Sequence, residues 1–264
     1  MFICPVCKNE LNKTGKSLVC RNGHCFDAAK SGYVNLLLKG NGGNHGDNKL
    51  MVNARRNFLD KGYYEPLRNT VTQMCREFSR KGDVIVDCGC GEGYYTAAIA
   101  EALPDRTVCG FDISKDAVTV ASKRSKAVEY AVASSFDIPL PDGCADAVTE
   151  IFSPHCEKEF LRILKPDGRM IMVIPLENHL YELKQAVYDE AYKNEPSDLK
   201  KDGFRLLKCE RVEYTADITE AEDIKNLFTM TPYYYKTGVK EQARLNALRQ
   251  ISVTFAFAVL CYGL

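Results

Sequence analysis

Four residues near the N-terminus have the types and the spacing of a metal site. They form the pattern Cys4-x2-Cys7-x12-Cys20-x3-His24, in which two close pairs of ligands are separated by a loop long enough to fold back. Thiolate and imidazole groups in this arrangement suit a tetrahedral Zn²⁺ ion. A module of about 35 residues buries too little core to fold without a metal or a staple, so the zinc is expected to be structural. Two alternatives stay open: Cys25 replaces His24 as the fourth ligand, or the cysteines are buried or oxidised and bind no metal.

A second group of residues has the pattern of a cofactor site. The β-branched run at 83–89 predicts a buried parallel strand, and apolar residues at helical spacing follow at 95–103. The loop between them carries three glycines and two carboxylates, at Asp87, Gly89, Gly91, Glu92 and Gly93. Glycines allow a backbone to turn sharply and to approach a ligand closely. A dinucleotide pyrophosphate would also fit such a loop. The carboxylates would repel that anion, however, and they favour the cationic methyl donor S-adenosylmethionine.

Two further positions at strand ends complete this predicted site. Asp112 ends the second predicted strand, where an acidic side chain can accept hydrogen bonds from the two ribose hydroxyls. Ser135 follows the third strand, where a backbone amide and small side chains can frame adenine. Each acidic residue also has a structural alternative. Asp87 could bond only loop amides, and Asp112 could cap the helix that starts near Ser114.

The elements that must position these residues alternate along the chain. Strands are predicted near 107–113, 128–133, 145–152 and 169–175, and helices near 114–125 and 157–164. Such alternation is typical of a doubly wound parallel sheet. With the glycine loop, it predicts the α/β fold of a class I, Rossmann-like S-adenosylmethionine-dependent methyltransferase, preceded by a small zinc-binding module. After the sheet, a helix over 181–192 and strand-like runs at 208–214 and 251–262 are expected.

Three parts of the chain follow from these patterns. Residues 1–36 form the predicted zinc-binding module, 37–80 a linker with two helices, and 81–264 the methyltransferase domain. The segment 39–49 combines Gly and Asn with no hydrophobic period, so it is expected to be a mobile linker or lid.

The composition limits the classes of protein to which the chain can belong. The 264 residues are 45% hydrophobic with a formal net charge of zero, so any nucleic-acid site must be a local patch. No apolar run reaches the length of a membrane span, and no secretion signal is evident. We therefore expect a cytoplasmic protein that does not contact a membrane, and we expect most of its 12 cysteines to be reduced.

Several short motifs accompany the zinc ligands and the glycine loop along the chain. They are Phe26-Asp27, Gly32 to Leu37, Ala54-Arg55-Arg56, Phe58-Leu59-Asp60, Pro66-Leu67, Tyr94-Tyr95-Thr96, Ala133-Ser134-Ser135, His179-Leu180, Glu182-Leu183-Lys184 and Met230-Thr231-Pro232. Through these features the chain resembles, nearly end to end, the RlmA family of large-subunit ribosomal RNA (guanine-N1)-methyltransferases, and the resemblance makes the module at 1–36 the expected RNA-recognition module. A zinc module joined to this particular loop is specific, whereas the loop alone fits many methyltransferase families.

The resemblance implies that the four N-terminal ligands bind zinc and that the substrate is a guanine in a hairpin of 23S ribosomal RNA. It also implies that Tyr64, Gly91, Glu92 and His179 contact the methyl donor. From the residues alone, Tyr64 would be a core aromatic and His179 a loop residue without a role.

The residues after the predicted strand at 145–152 bear on the chemistry. The sequence Phe152-Ser153-Pro154-His155 differs from the Asn/Asp-Pro-Pro-Tyr motif of exocyclic amino methyltransferases, which argues against N6-adenine chemistry. Guanine N1 must lose a proton as it attacks the methyl group, so a proton acceptor or water path is needed. His155 is the candidate for positioning the base or accepting the proton, although a bacterial relative has Cys there. A loop histidine of purely structural role is the alternative.

Guanine N1 lies on the Watson–Crick edge, so a paired target must be extruded or already lie in a loop. Basic residues near the zinc module are candidates for meeting RNA phosphates, with Tyr33 for stacking: Lys8, Lys13, Lys16, Arg21, Lys30, Arg55 and Arg56. Solvated surface charge is the alternative for each of them. Two other functions stay open, a small-molecule methyltransferase and a noncatalytic zinc-dependent RNA-binding protein. A homodimer that grips one RNA also stays open.

Overall fold

The structure of the chain, a computed structural model, describes residues 1–38 and 46–264. The central part of the expected linker or lid, residues 39–45, lies outside the described residues. Within the described ranges, no helix is both long enough and apolar enough to span a bilayer.

The N-terminal module is a small antiparallel sheet. Its three strands pair in chain order, β1 (Leu11–Thr14), β2 (Ser17–Cys20) and β3 (Cys25–Asp27). Thr14 pairs with Ser17, so a two-residue turn joins the first two strands.

An eight-stranded sheet forms the centre of the molecule. Its strands are β4 (Val34–Asn35), β5 (Val84–Cys88), β6 (Thr107–Asp112), β7 (Glu129–Val132), β8 (Ala145–Ile151), β9 (Leu164–Pro175), β10 (Arg205–Ile218) and β11 (Ile251–Gly263). They lie in the order β10-β11-β9-β8-β5-β6-β7-β4. The strands from β9 to β4 are parallel, whereas β11 is antiparallel to both of its neighbours. The predicted parallel sheet is therefore confirmed, with the closing strands forming an antiparallel edge.

Eight helices and one 3₁₀ helix lie in the described part of the chain. They are α1 (Lys49–Leu59), α2 (Glu65–Phe78), α3 (Tyr94–Ala102), α4 (Lys115–Arg124), α5 (Glu157–Ile163), α6 (Tyr181–Val187), α7 (Ala221–Thr229), the 3₁₀ turn Pro232–Lys236 and α8 (Val239–Ala247).

Two element boundaries differ from the prediction by five residues each. The helix expected over 181–192 ends at Val187, because the buried Lys184 ammonium donates to Tyr192 O (3.2 Å) and Asn194 Oδ1 (2.7 Å) and holds the following segment in a non-helical path. The strand expected from residue 169 begins at Leu164 instead. It pairs there with β8 before a register shift that accommodates the predicted turn.

Two apolar layers cover the faces of the large sheet. In β5, Ile85 belongs to the layer that contains Phe58 of α1 and Ile99 of α3, whereas the next residue, Val86, belongs to the layer that contains Phe160 of α5. Side chains alternate between the two faces of a strand, so successive apolar residues of one strand contribute to both layers.

The zinc module packs directly on the second of these layers. Phe2 and Leu11 are buried there. The Ile3 N–H donates to Pro139 O at 2.9 Å. Strand β4, which follows the module, adds to the sheet beside β7 in parallel register, with Val34 opposite Ala131. The module is thus attached both by burial and by the hydrogen bonds of an edge strand.

Candidate active site and zinc centre

The four N-terminal ligands converge in space. One donor atom from each of Cys4, Cys7, Cys20 and His24 lies within 4.8 Å of the others. The Sγ atoms of Cys7 and Cys20 are 3.6 Å apart, and His24 Nδ1 lies 3.3 Å from Cys20 Sγ and 3.5 Å from Cys4 Sγ. A tetrahedral zinc with Zn–S bonds of about 2.3 Å requires edges of about this length, so the donor set fits the ion.

The surroundings of this cluster favour His24 over Cys25 as the fourth ligand. Cys25 is exposed and lies outside the group of converging donors. Asn9 Nδ2 donates to Cys7 Sγ at 3.1 Å, and a hydrogen bond of this kind orients a metal-bound thiolate. All four donors belong to the protein, so the site leaves no position for water and is structural.

The glycine loop lies at the carboxyl end of β5. The N–H groups of Gly89 and Cys90 both donate to Phe111 O at 2.9 Å, which ties the loop to β6. Gly89 has φ of +80°, and a Cβ there would lie 2.3 Å from Ser153 Cβ. Only glycine therefore fits this position, for conformational and for steric reasons.

The Asp87 carboxylate has two hydrogen-bond partners within the protein. Its carboxylate accepts hydrogen bonds from the hydroxyls of Thr96 and of Thr149, the latter at 2.7 Å. Burial raises its pKa to about 6, and the two hydroxyl donors act in the opposite direction. The partners are threonine side chains rather than the loop amides considered above. The direct contact of Asp87 with a cofactor stays a prediction.

Asp112 is not the cap of the following helix. Ser114 occupies that position and accepts from Ala117 N at 3.2 Å. Asp112 instead accepts from Ser114 N (2.7 Å) and from Gly91 N (3.0 Å), and so joins the end of β6 to the glycine loop. Each carboxylate oxygen retains acceptor capacity for a ribose hydroxyl. Ser135 lies half-buried in the turn after the neighbouring strand β7.

Glu92 is buried and meets two arginines. Arg124 Nη2 lies 3.5 Å from Glu92 Oε1. Burial raises the pKa of Glu92, whereas the charges of Arg55 and Arg124 lower it. Arg55 is ion-paired with Asp47 and donates to Met230 O at 3.1 Å. Arg55, a candidate for the basic RNA surface, is partly buried, and its guanidinium lies beside the glycine loop.

Tyr64 and His179, which sequence patterns alone could not connect, lie in one aromatic cluster. The His179 ring centroid lies 4.5 Å from that of Phe257 and 6.5 Å from that of Tyr64, and Tyr64 lies 5.2 Å from Phe257. Ala256 N donates to His179 Nδ1 at 3.3 Å. Burial lowers the pKa of His179 to about 3, so its imidazole is neutral at neutral pH. A neutral ring can lie beside a sulfonium cation without repelling it.

The segment after β8 brings His155 to a buried carboxylate. His155 Nδ1 lies 2.7 Å from Glu150 Oε2, and Nε2 is buried with no hydrogen-bond partner among the described residues. Burial raises the pKa of Glu150, and the hydrogen bond with His155 lowers it. Glu150 was not among the predicted site residues, although a carboxylate near the end of a buried strand signals that a partner exists.

The parallel sheet, the glycine loop and the acidic residue at the end of β6 together define a class I S-adenosylmethionine-dependent methyltransferase. The family model for the RlmA N-terminal zinc ribbon matches residues 2–38, and a methyltransferase domain model matches 79–230. The chain belongs to the family of 23S ribosomal RNA (guanine-N1)-methyltransferases that carry this zinc ribbon, as the sequence predicted.

Individual relatives agree with this membership. The chain is 37% identical over 187 residues to a Streptomyces fradiae protein named 23S rRNA (guanine(748)-N(1))-methyltransferase, a match that covers 70% of this chain and 66% of that protein. It is 35% identical over 199 residues to Bacillus subtilis YxjB, whose name assigns the same activity provisionally, with 72% and 70% covered. A solved structure from Anaeromyxobacter dehalogenans, titled as a type II methyltransferase on the same provisional basis, shares the fold. Its TM-score is 0.51 at 19% identity, with 74% of this chain and 94% of that chain covered.

The zinc centre generates a first prediction. Cys4→Ser should abolish stoichiometric zinc and unfold the module, because a structural site of this kind contributes about 10–16 kcal/mol of apparent binding free energy. Metal released on denaturation, measured with a chromogenic chelator, checks this. Cys25→Ser is the matched control and should keep its zinc. Equal zinc content in the two variants would contradict the ligand assignment.

The glycine loop generates a second prediction. Gly89→Ala should weaken S-adenosylmethionine binding at least ~10-fold, because the new Cβ would displace Ser153 and distort the loop. Gly82→Ala is the control, since Gly82 has a similar φ of +88° but nothing within 4 Å of an added Cβ. Calorimetric titration with the cofactor separates the two effects, and an equal loss in both variants would show that backbone strain alone is responsible.

Proposed function

We propose that this protein transfers the methyl group of S-adenosylmethionine to N1 of a guanine in a hairpin of 23S ribosomal RNA. One observation carries the proposal beyond family membership. Lys8 Nζ, in the zinc module, lies 2.6 Å from Asp137, two residues beyond Ser135 at the carboxyl edge of the sheet. This contact supports a zinc module that borders the proposed cofactor site, so that an RNA bound to the module can present a base to it.

The residues around the glycine loop fit the cofactor. Asp112 is proposed to bind the ribose and Ser135 to frame adenine. Gly89 and Gly91 leave space for close backbone approach. Glu92, Tyr64 and His179 are proposed to line the rest of the donor. When bound, the sulfonium supplies an electrophilic methyl carbon.

The reaction needs a place for the guanine N1 proton. We propose that RNA binding moves the segment of His155 so that its buried Nε2 reaches the base and accepts this proton, while the N1 electron pair forms the bond to the methyl carbon and the carbon–sulfur bond breaks. Glu150 accepts a hydrogen bond from Nδ1–H and so leaves Nε2 as the basic nitrogen. S-adenosylhomocysteine and N1-methylguanine are the products.

We propose an RNA surface that does not include Tyr33. Tyr33 is buried, with only 6% of its surface exposed, and accepts a hydrogen bond from Thr119, so it offers no face for stacking. Beside it, a groove of about 570 Å³ between the module and α4 is lined by the exposed Lys30, Lys123 and Lys126. These ammonium groups suit RNA phosphates.

Binding of one RNA by a homodimer, and a cytoplasmic location, are part of the same proposal.

The proposed activity predicts a defined product. Purified protein with labelled S-adenosylmethionine should label unmodified 23S ribosomal RNA and not a panel of small-molecule methyl acceptors. Because an N1-methyl group blocks base pairing, reverse transcription should stop at one hairpin guanine. Labelling of a metabolite without labelling of RNA would instead identify a small-molecule methyltransferase. Absence of cofactor binding by calorimetry would favour a noncatalytic RNA-binding protein.

The His155–Glu150 pair predicts a specific catalytic defect. His155→Gln should lower kcat about 100-fold or more while leaving cofactor affinity unchanged, because general-base catalysis contributes about 10²–10⁴. Cys156→Ser, one position further, is the control. An unchanged kcat in His155→Gln would assign the proton to water.

A further inference from the structure

We propose that the Phe152 ring is the stacking surface on which the extruded target guanine lies during methyl transfer. The inference rests on the proposed function and adds a binding surface for the base, which neither the family match nor the cofactor residues supply.

The backbone at Phe152 is held in an unusual conformation. Phe152 has φ of +56°, in the left-handed region that side chains other than glycine rarely adopt. Of the non-glycine residues with positive φ in the described ranges, two lie outside the zinc module, Phe152 and Leu180, and Leu180 directly follows His179. Backbone strain of this kind persists where the surrounding structure enforces it, and it concentrates at functional sites.

The neighbours of Phe152 belong to the cofactor site on both sides. The next residue, Ser153, packs against Gly89 and donates to Cys88 O at 2.5 Å. On the other side, the Phe152 ring centroid lies 5.6 Å from that of Phe257, which in turn contacts His179. Phe152 thus lies between the glycine loop and the aromatic cluster, where the methyl carbon must be presented.

Exposure distinguishes Phe152 from the rest of this cluster. Tyr64, Phe257 and His179 are at least nine-tenths buried, whereas 48% of Phe152 is exposed. A single exposed phenylalanine needs no explanation by itself. A phenylalanine with a strained backbone, at the end of a buried aromatic row and beside the cofactor loop, presents an apolar face to whatever enters the site.

A purine fits this face. A guanine removed from its helix loses stacking on both sides, and enzymes that act on extruded bases restore it with aromatic side chains. Stacking on Phe152 would fix the plane of the base, with the N1 edge of the guanine facing the methyl carbon. His155 lies on the same segment of the chain as Phe152. The interaction reads only the π face, so recognition of guanine itself must come from other contacts.

The test compares three substitutions at Phe152 in the full-length zinc-loaded protein, using an unmodified 23S ribosomal RNA transcript. Phe152→Leu and Phe152→Gly should lower kcat/KM for RNA about 5- to 100-fold, the range that loss of one base–aromatic stack produces. Phe152→Tyr should restore it to within about 3-fold. Cofactor affinity should be unchanged in all three. Tyr192→Leu removes an aromatic side chain of similar exposure, 53%, as the control.

The outcomes of this test separate the stacking role of Phe152 from the proposed function. Wild-type kcat/KM in Phe152→Leu, with an active wild-type enzyme, would overturn the stacking role and leave the proposed function intact. A parallel loss of cofactor affinity would also overturn it and would assign Phe152 a structural role in the cofactor site. A wild-type protein that methylates no ribosomal RNA would refute the proposed function and the inference together.

Discussion

The buried carboxylate of Asp87 is the interaction on which the site depends. Its two hydroxyl donors come from different elements, Thr96 from α3 and Thr149 from β8. One carboxylate therefore joins the strand before the glycine loop, the helix after it and the strand that leads to Phe152 and His155. Burial alone would destabilise the charge, and the hydroxyl donors offset that cost. Loss of either donor would leave a buried acceptor unsatisfied and loosen the three segments together.

The zinc module is held in place by a strand of the large sheet as well as by its metal. Strand β4 adds to the outer edge of β7 and covers backbone groups that would otherwise be unpaired. The loop that follows β7 carries both Ser135 and Asp137, and Asp137 forms an ion pair with Lys8 of the zinc module. Zinc is thus coupled mechanically to the end of the site where adenine is proposed to bind. This arrangement explains why a structural metal can matter for an enzyme whose chemistry does not use it.

The interior of the site is apolar and its ionisable groups respond to that environment. His179 is held neutral by burial, while the carboxylates of Glu92 and Glu150 have raised pKa values for the same reason. A neutral imidazole does not repel a cationic cofactor such as the one proposed above. The charges of Arg55 and Arg124 lower the pKa of Glu92 and so favour its ionised form.

Sequence alone determined the sheet, the glycine loop and the zinc ligands, because each depends on local periodicity or on close spacing along the chain. It could not decide what each carboxylate bonds, because the partners of Asp87 lie on a helix and on another strand, and the partner of Glu150 lies in a segment without regular structure. It also placed Tyr33 on a stacking surface, because the sequence does not say which neighbour covers a side chain. The strained and exposed Phe152 has no sequence signal at all. Only the packing of β8 against the glycine loop sets its conformation, and that packing exists only in the folded chain.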